Sequence, residues 1–180
     1  GKVLAARLGC LDGRVGTRNF IAIVSTVNCS ATVVHAIADH FTKERLAAYP
    51  SVDGVAAFAH AMGCGMEMTG EPMDLLHRTL SGYIQHPNVA GALVVGLGCE
   101  RCQVGGLFTA EDLTETPNLR TMIMQEQGGT RKTIERGIAI VEAMLAEANK
   151  YTREEASAAH IKVGLQCGGS DAFSSITANP

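Results

Sequence analysis

Four of the six cysteines in this 180-residue chain recur in one kind of place, at the end of a short apolar run and in or beside a small, polar or glycine-rich turn. The runs are FIAIVSTVNCS around Cys29, VAAFAHAMGCG around Cys64, ALVVGLGCE around Cys99 and IKVGLQCGGS around Cys167. Thiolates are ligands for iron and zinc, and three of them can hold an iron–sulfur cluster with one iron open to substrate. A single cysteine reads more readily as a small buried hydrophobe. Four at equivalent places, beside Gly63, Gly65, Gly98, Gly168 and Gly169 where backbone can approach a ligand closely, point instead to one shared cleft. Cys99 and Cys102 also form a C-x-x-C, but the second pair of a structural zinc site and a thioredoxin-like context are both missing. Cys10 precedes the first run and is read as incidental.

Other polar groups attend the same turns. Asn28 and Ser30 flank the first cysteine, His60 ends the second run, Glu100 follows the third, and Gln166, Ser170 and Asp171 surround the last. A further turn, QEQGGTRKT, has no cysteine; Gly128 and Gly129 open a helix whose first turn is Thr130, Arg131, Lys132 and Thr133. Free backbone N–H groups and the positive end of the helix dipole favour an anion there, and the two cations add charge-assisted contacts. A tight turn with solvated cations fits the same residues equally well, and the spacing is not that of a Walker phosphate loop. His60 on an apolar strand is more often a satisfied structural group than a ligand, and His35, His40, His77 and His86 read as structural or exposed. The loop HAMGCGMEM reads as gap-filling packing, with a mobile lid as its functional alternative.

The elements that must position these groups follow from the spacing. Cys29 to Cys64 and Cys64 to Cys99 are each 35 residues, and Cys99 to Cys167 is 68, the lengths of one and then two strand-plus-helix units. The patterns predict strands over 20–27, 55–60, 92–97, 120–124 and 161–165, and helices over 31–41, 72–85 and 130–149. Ser30 is the expected N-cap of the first helix, 63–70 a loop, and the segment after the third strand a short helix interrupted by GGLF and TETPN. Repeated β-then-α order predicts an α/β fold, a mainly parallel five-stranded sheet with helices on both faces, in a flavodoxin-like or Rossmann-like sandwich. The carboxyl ends of such strands share one edge, which is where open α/β sheets bind ligands.

Composition bounds the classes. A hydrophobic content of 46% supports one sizeable core; residues 1–19 read as a linker-like segment and 20–180 as a single α/β domain. No apolar stretch reaches the ~20 residues of a spanning helix, and the N-terminus lacks a secretion-signal pattern, so a cytoplasmic protein with reduced thiols is expected. A net charge of −3 and 4% aromatic residues exclude a nucleic-acid binder.

Taken together, DGRVGTRN (12–19), VNCSAT (27–32), GCGM (63–66), GLGCE with Gln103, GGTRKT (128–133) and LQCGGSDAFSSITANP (165–180) resemble the altronate and galactarate dehydratase family along nearly the whole chain. Sulfolactate sulfo-lyase large subunits share the pattern. The resemblance implies loss of water from a 2-hydroxy sugar acid to give a 2-keto-3-deoxy acid, with dependence on ferrous iron or a similar divalent metal such as Mn2+, or an iron–sulfur cluster. It implies a central fragment of a longer, homo-oligomeric enzyme, partnered by N- and C-terminal domains of the same enzyme and inactive alone. Cys29, Cys99 and Cys167, with Cys64, are the metal candidates; the family more usually has a polar amide where Cys102 stands. The substrate carboxylate is expected at Gly128, Gly129, Thr130 and Arg131, with Arg14 and Arg18 as alternative clamps and Asn28, Ser30, Gln166, Ser170 and Asp171 as further contacts. His60, Glu100 and Lys132 are the candidate proton carriers. The rival readings are a sulfo-lyase acting on sulfolactate and a non-catalytic scaffold or oligomerisation domain.

Overall fold

The aliphatic and β-branched runs become strands because each is long enough to cross a sheet and can be covered on both faces. The computed structural model describes residues 2–6, 14–164, 173 and 176. Its elements in chain order are β1 (Lys2–Ala6), β2 (Phe20–Ser25), α1 (Ala31–His40), α2 (Lys43–Leu46), β3 (Gly54–Phe58), α3 (Glu71–Ile84), β4 (Val89–Gly96), α4 (Val104–Ala110), β5 (Leu119–Ile123), α5 (Thr130–Ala148) and β6 (Arg153–Ser157).

Four strands form a parallel sheet in the order β3-β2-β4-β5. Alternation of side chains along a strand divides the core in two. Ile21 and Ile23 of β2, with Leu93 and Val95 of β4, face α1 and α5; Ala22, Val24, Ala92 and Val94 face α3 and α4. A strand buried on both faces has no solvent side on which polar residues could alternate, which is why these runs are continuously apolar. Full burial of each large aliphatic side chain contributes about 1.5–3 kcal/mol, so the two central strands supply most of the local driving force.

The order is that of the first four strands of a flavodoxin-like sheet and differs from the Rossmann order. After β2 the chain turns to the face covered by α1; after the adjacent β4 it turns to the face covered by α4. The carboxyl ends of β2 and β4 therefore flank the topological switch point, where connections leave in opposite directions and open a crevice.

Two expectations need correction. No strand runs over 161–164, and Leu165 lies outside the described residues, so the described sheet has four strands rather than five. The alternation of Ile161 and Val163 looks like a strand, yet both side chains are exposed, at 48% and 74%. Instead the chain leaves α5 through β6, whose REEAS sequence pairs antiparallel with β1, Lys2 opposite Ser157, inside the segment expected to be linker-like. Ser30 makes no side-chain cap on α1, because its hydroxyl is engaged elsewhere. The short, glycine-containing α4 forms as expected. Among the described residues no helix is long and apolar enough to cross a membrane.

Candidate functional site

The loops at the carboxyl edge are joined by their own backbone and by buried polar side chains. Past β2, Thr26 and Val27 remain buried and the Thr26 N–H donates to the Val95 carbonyl at 3.2 Å. The Ser30 hydroxyl lies 2.9 Å from the carbonyls of both Val27 and Val95, closing the turn and tying it to β4. Between them Asn28 and Cys29 face solvent, with the thiol 3.5 Å from Asn28 Oδ1. Past β3, His60 Nε2 donates to the Ser25 carbonyl at 3.0 Å and Nδ1 accepts the Met62 N–H at 3.1 Å, which selects the neutral Nε2–H tautomer. Burial pushes its pKa below the ordinary histidine value, opposed in part by the Ser25 carbonyl. Asn28 N–H donates to the Met62 carbonyl at 3.0 Å.

Gly63 is the knot. Its φ is +97°, and a Cβ there would stand 2.2 Å from the Thr26 carbonyl oxygen, so only glycine allows the second loop to lie against the first. Its carbonyl accepts the N–H groups of Arg101 at 2.8 Å and Cys102 at 3.1 Å, which joins the third loop. Cys64 follows and is exposed. It shares with Met66, Glu67, Met68 and Arg101 a cleft of about 600 Å³.

Glu100 is the buried anchor of the β4 loop, 2% exposed. Oε1 accepts from Thr26 Oγ1 and Leu97 N–H, both at 3.0 Å, and Oε2 accepts the Gly98 N–H at 2.5 Å. A side chain at position 96 would meet Oε1 at 2.4 Å, so the glycine makes room for the carboxylate. Gln103 Nε2 donates to the Glu100 carbonyl at 2.6 Å. Cys102 is fully buried among the α3 and α4 contacts; burial, and then the nearby Glu100 charge, push its thiol up to about 11. It is a core thiol. The β5 loop joins through Gln125 N–H to the Leu97 carbonyl at 3.1 Å. The start of α5 follows, with Gly128 and Gly129 at φ +80° and +116°, and Lys132 folded back over Gly128. Arg131 is exposed, its Nε 3.8 Å from Glu135 one turn on, a pair of small worth.

Residues 11–149 match the family model described as D-galactarate dehydratase/altronate hydrolase, second domain, and residues 158–180 match D-galactarate/altronate dehydratase, C-terminal. The chain belongs to this family. It is 36% identical over 175 residues to the galactarate dehydratase (L-threo-forming) of Escherichia coli (strain K12), covering 94% of this chain and 34% of the relative. With the altronate dehydratase of the same strain it shares 35% identity over 169 residues, 94% of this chain and 33% of the relative. The beta subunit of a (2R)-sulfolactate sulfo-lyase from Chromohalobacter salexigens is more distant, 28% identical over 169 residues, 94% of this chain and 39% of the relative. The chain spans about a third of the length of the dehydratases it matches.

Within this dehydratase-family segment, Asn28, Cys29, Ser30, His60, Cys64, Cys99, Glu100, Gly128 and Gly129 lie on the connections at one sheet edge, and Thr130, Arg131 and Lys132 form the first turn of α5 at that edge. Gln166, Cys167, Ser170 and Asp171 lie outside the described residues. Arg14 and Arg18 do not join the group, because residues 14–19 precede β2 and lie at the amino edge, roughly 20 Å from the cysteine loops across a six-residue strand. Arg18 Nη1 is 3.3 Å from Asp53 Oδ1, and Arg153 Nη2 is 2.7 Å from Asp53 Oδ2. Sequence reasoning missed Thr26, Gly63 and Gly96 as supports. The pairing of Gly96 with Glu100 four residues on, inside GLGCE, was the signal for one of them.

The metal that the family resemblance implies finds no complete set of ligands among the described residues. Cys29, Cys64 and Cys99 are each exposed, and among the described residues no group of three or more His, Cys, Asp or Glu side chains is arranged to hold a metal ion. The described residues by themselves do not fit a metal centre; a ligand set would need donors from beyond them, Cys167 being the candidate the sequence offers.

Proposed function

We propose that this chain supplies the sheet-edge part of the active site of a sugar-acid hydro-lyase, which removes water from altronate or galactarate to give a 2-keto-3-deoxy acid. The observation that carries the reading is the gathering of exposed polar and thiol side chains on loops fixed to one another at the topological switch point between β2 and β4, with the start of α5 on the same edge. A carbon next to a carboxylate is a weak acid, so the charge that develops on deprotonation must be met by positioned donors. The free first-turn N–H groups of α5 and the Arg131 guanidinium hold the substrate carboxylate, and Lys132, as the neutral amine, takes the proton from the carbon beside that carboxylate and passes it to the departing hydroxyl, which leaves as water. His60 and Glu100, whose polar atoms are engaged by Ser25, Met62, Thr26, Leu97 and Gly98, hold the loops in place. The reading contains no metal-dependent step.

Turnover is assigned to a longer protein, in line with the share of the relatives that this chain spans. The test is to supply altronate and galactarate, with ferrous iron and without air, to this chain and to a full-length protein carrying it, and to measure 2-keto-3-deoxy acid. Product from the longer protein on either substrate, abolished or reduced at least tenfold by Lys132→Ala, supports the reading. Full activity in the 180-residue chain overturns the need for further segments. A second reading, sulfo-lyase activity, draws on the more distant relative, and sulfite release from sulfolactate with no dehydration of either sugar acid would favour it.

A further inference from the structure

At the amino edge of the sheet, opposite the cysteine loops, lies a cleft of about 670 Å³ that the proposed dehydration does not use. Its lining comes from three stretches: Arg14, Val15 and Thr17 before β2, His86 to Asn88 before β4, and Ala159 to Lys162 after β6. Arg14, Lys162, His86 and His160 are all part of it, and none of its described lining residues is a carboxylate. The first two stretches belong to the segment that matches the family's second domain and the third to the segment that matches its C-terminal part. Small-ligand sites favour such junctions, and the volume falls within the ~300–1,000 Å³ usual for them.

The walls are fixed. Thr17 and Arg18 N–H groups both donate to Asn88 Oδ1, at 2.8 and 3.1 Å. A side chain at Gly16 would meet the Pro87 carbonyl oxygen at 2.1 Å, so the first two stretches touch backbone to backbone. Arg153 Nη1, at the start of β6, donates to the Thr17 carbonyl at 2.7 Å and draws in the third stretch. His86 Nδ1 accepts the Asn88 N–H at 3.1 Å, which leaves its Nε2–H as the donor. A pre-arranged cleft with donors and positive charge converging from separate stretches saves the ordering cost that weakens flexible sites.

We propose that this cleft binds a compact oxyanion carrying two negative charges, of the phosphate or short dicarboxylate type, at the junction of the two family segments. The chemistry is shared by both sources: two or more anionic oxygens, matched by the Lys162 ammonium and imidazole N–H donors, with Arg14 in the same lining. Inorganic phosphate and malonate are therefore titrated separately into the 180-residue chain at low ionic strength, with binding read by calorimetry. The expected result is saturable binding of at least one, weakened about tenfold or more in Lys162→Gln/His160→Gln, the scale of a lost charge-assisted hydrogen bond. Binding should stay within about twofold of the parent in Arg131→Gln/Lys132→Gln, which removes the cations at the start of α5. Lys162 and His160 are exposed and follow the last strand, so the double variant is expected to fold, checked by an unchanged circular dichroism melt. The tighter of the two anions identifies the source. Absence of saturable binding for both overturns the proposal, as does binding that survives the cleft variant or is lost equally in both.

Discussion

The two edges of one sheet handle charged groups in opposite ways. At the carboxyl edge Thr26, Ser30 and Glu100 are turned inward, 0–2% exposed, and their contacts close their own turns and fasten the β2 loop to β4 and its loop. The amino edge buries the neutral Asn19, whose Nδ2 donates to the Ser51 and Ala148 carbonyls, but keeps its charges nearer the surface, where Asp53 is shared between Arg18 and Arg153. A buried acceptor facing several donors cannot be replaced by water, whereas a surface ion pair can. The difference teaches that exposed, chemistry-bearing side chains at the carboxyl edge rest on a buried layer that tolerates little change, while charge at the amino edge can be rearranged cheaply.

The largest effect that would break this contrast is at Glu100. Glu100→Ala leaves the Thr26 hydroxyl and the Leu97 and Gly98 N–H groups without their acceptor, and should lower stability by roughly 2–4 kcal/mol. A urea midpoint shifted at constant slope would register it; a loss as small as that of a surface mutation would refute the inward-facing layer. Next is Gly63→Ala, where both the contact with the Thr26 carbonyl and the positive φ oppose a side chain, at a cost of about 2 kcal/mol. Chemical denaturation of this variant beside Gly65→Ala, whose added methyl meets nothing within 4 Å, isolates the crowding.

Acidity sharpens the comparison within the carboxyl edge itself. The folded chain holds Cys102 as a thiol up to about 11, against an ordinary value of 9.0, so its contribution is complete below 9 and is lost as pH rises through that window. His60 runs the other way: its folded pKa lies below 6.5, so stability present above that value declines as pH falls and the ring must charge. Melting temperatures across pH should therefore fall at both ends, with the alkaline part reduced in Cys102→Ala and the acid part in His60→Gln. Iodoacetamide labelling with mass spectrometry should find Cys29, Cys64 and Cys99 modified in the native protein and Cys102 only after unfolding. The smallest effect belongs to the amino edge, where Arg18→Gln should change stability by no more than about 0.5 kcal/mol, because Arg153 keeps its own contact with Asp53.

Much of this was legible in the chain. The parallel order and the common edge of the first three cysteine loops follow from continuous apolar runs at near-equal intervals, because a strand buried on both faces must be written that way. The end of the pattern was not. Ile161 and Val163 alternate like a strand, but alternation states only that a strand could be half-buried, and no neighbour covers them. At the site, the residue types were visible and their direction was not: Ser30, His60 and Glu100 look like substrate contacts or proton carriers, and their turn geometry points them at backbone and, for Glu100, at the Thr26 hydroxyl as well. Arg14 and Arg18 sit beside the right strand but at its other end, a distinction that motif spacing does not carry.

The antiparallel pairing of Lys2–Ala6 with Arg153–Ser157 has a mechanical consequence. The strands before and after the four-stranded unit run side by side, and Arg153 of β6 pins this ribbon to the amino edge through the Thr17 carbonyl and Asp53. A polypeptide can carry such a unit as a cassette, entered and left at one point without its flanking chain having to cross the fold.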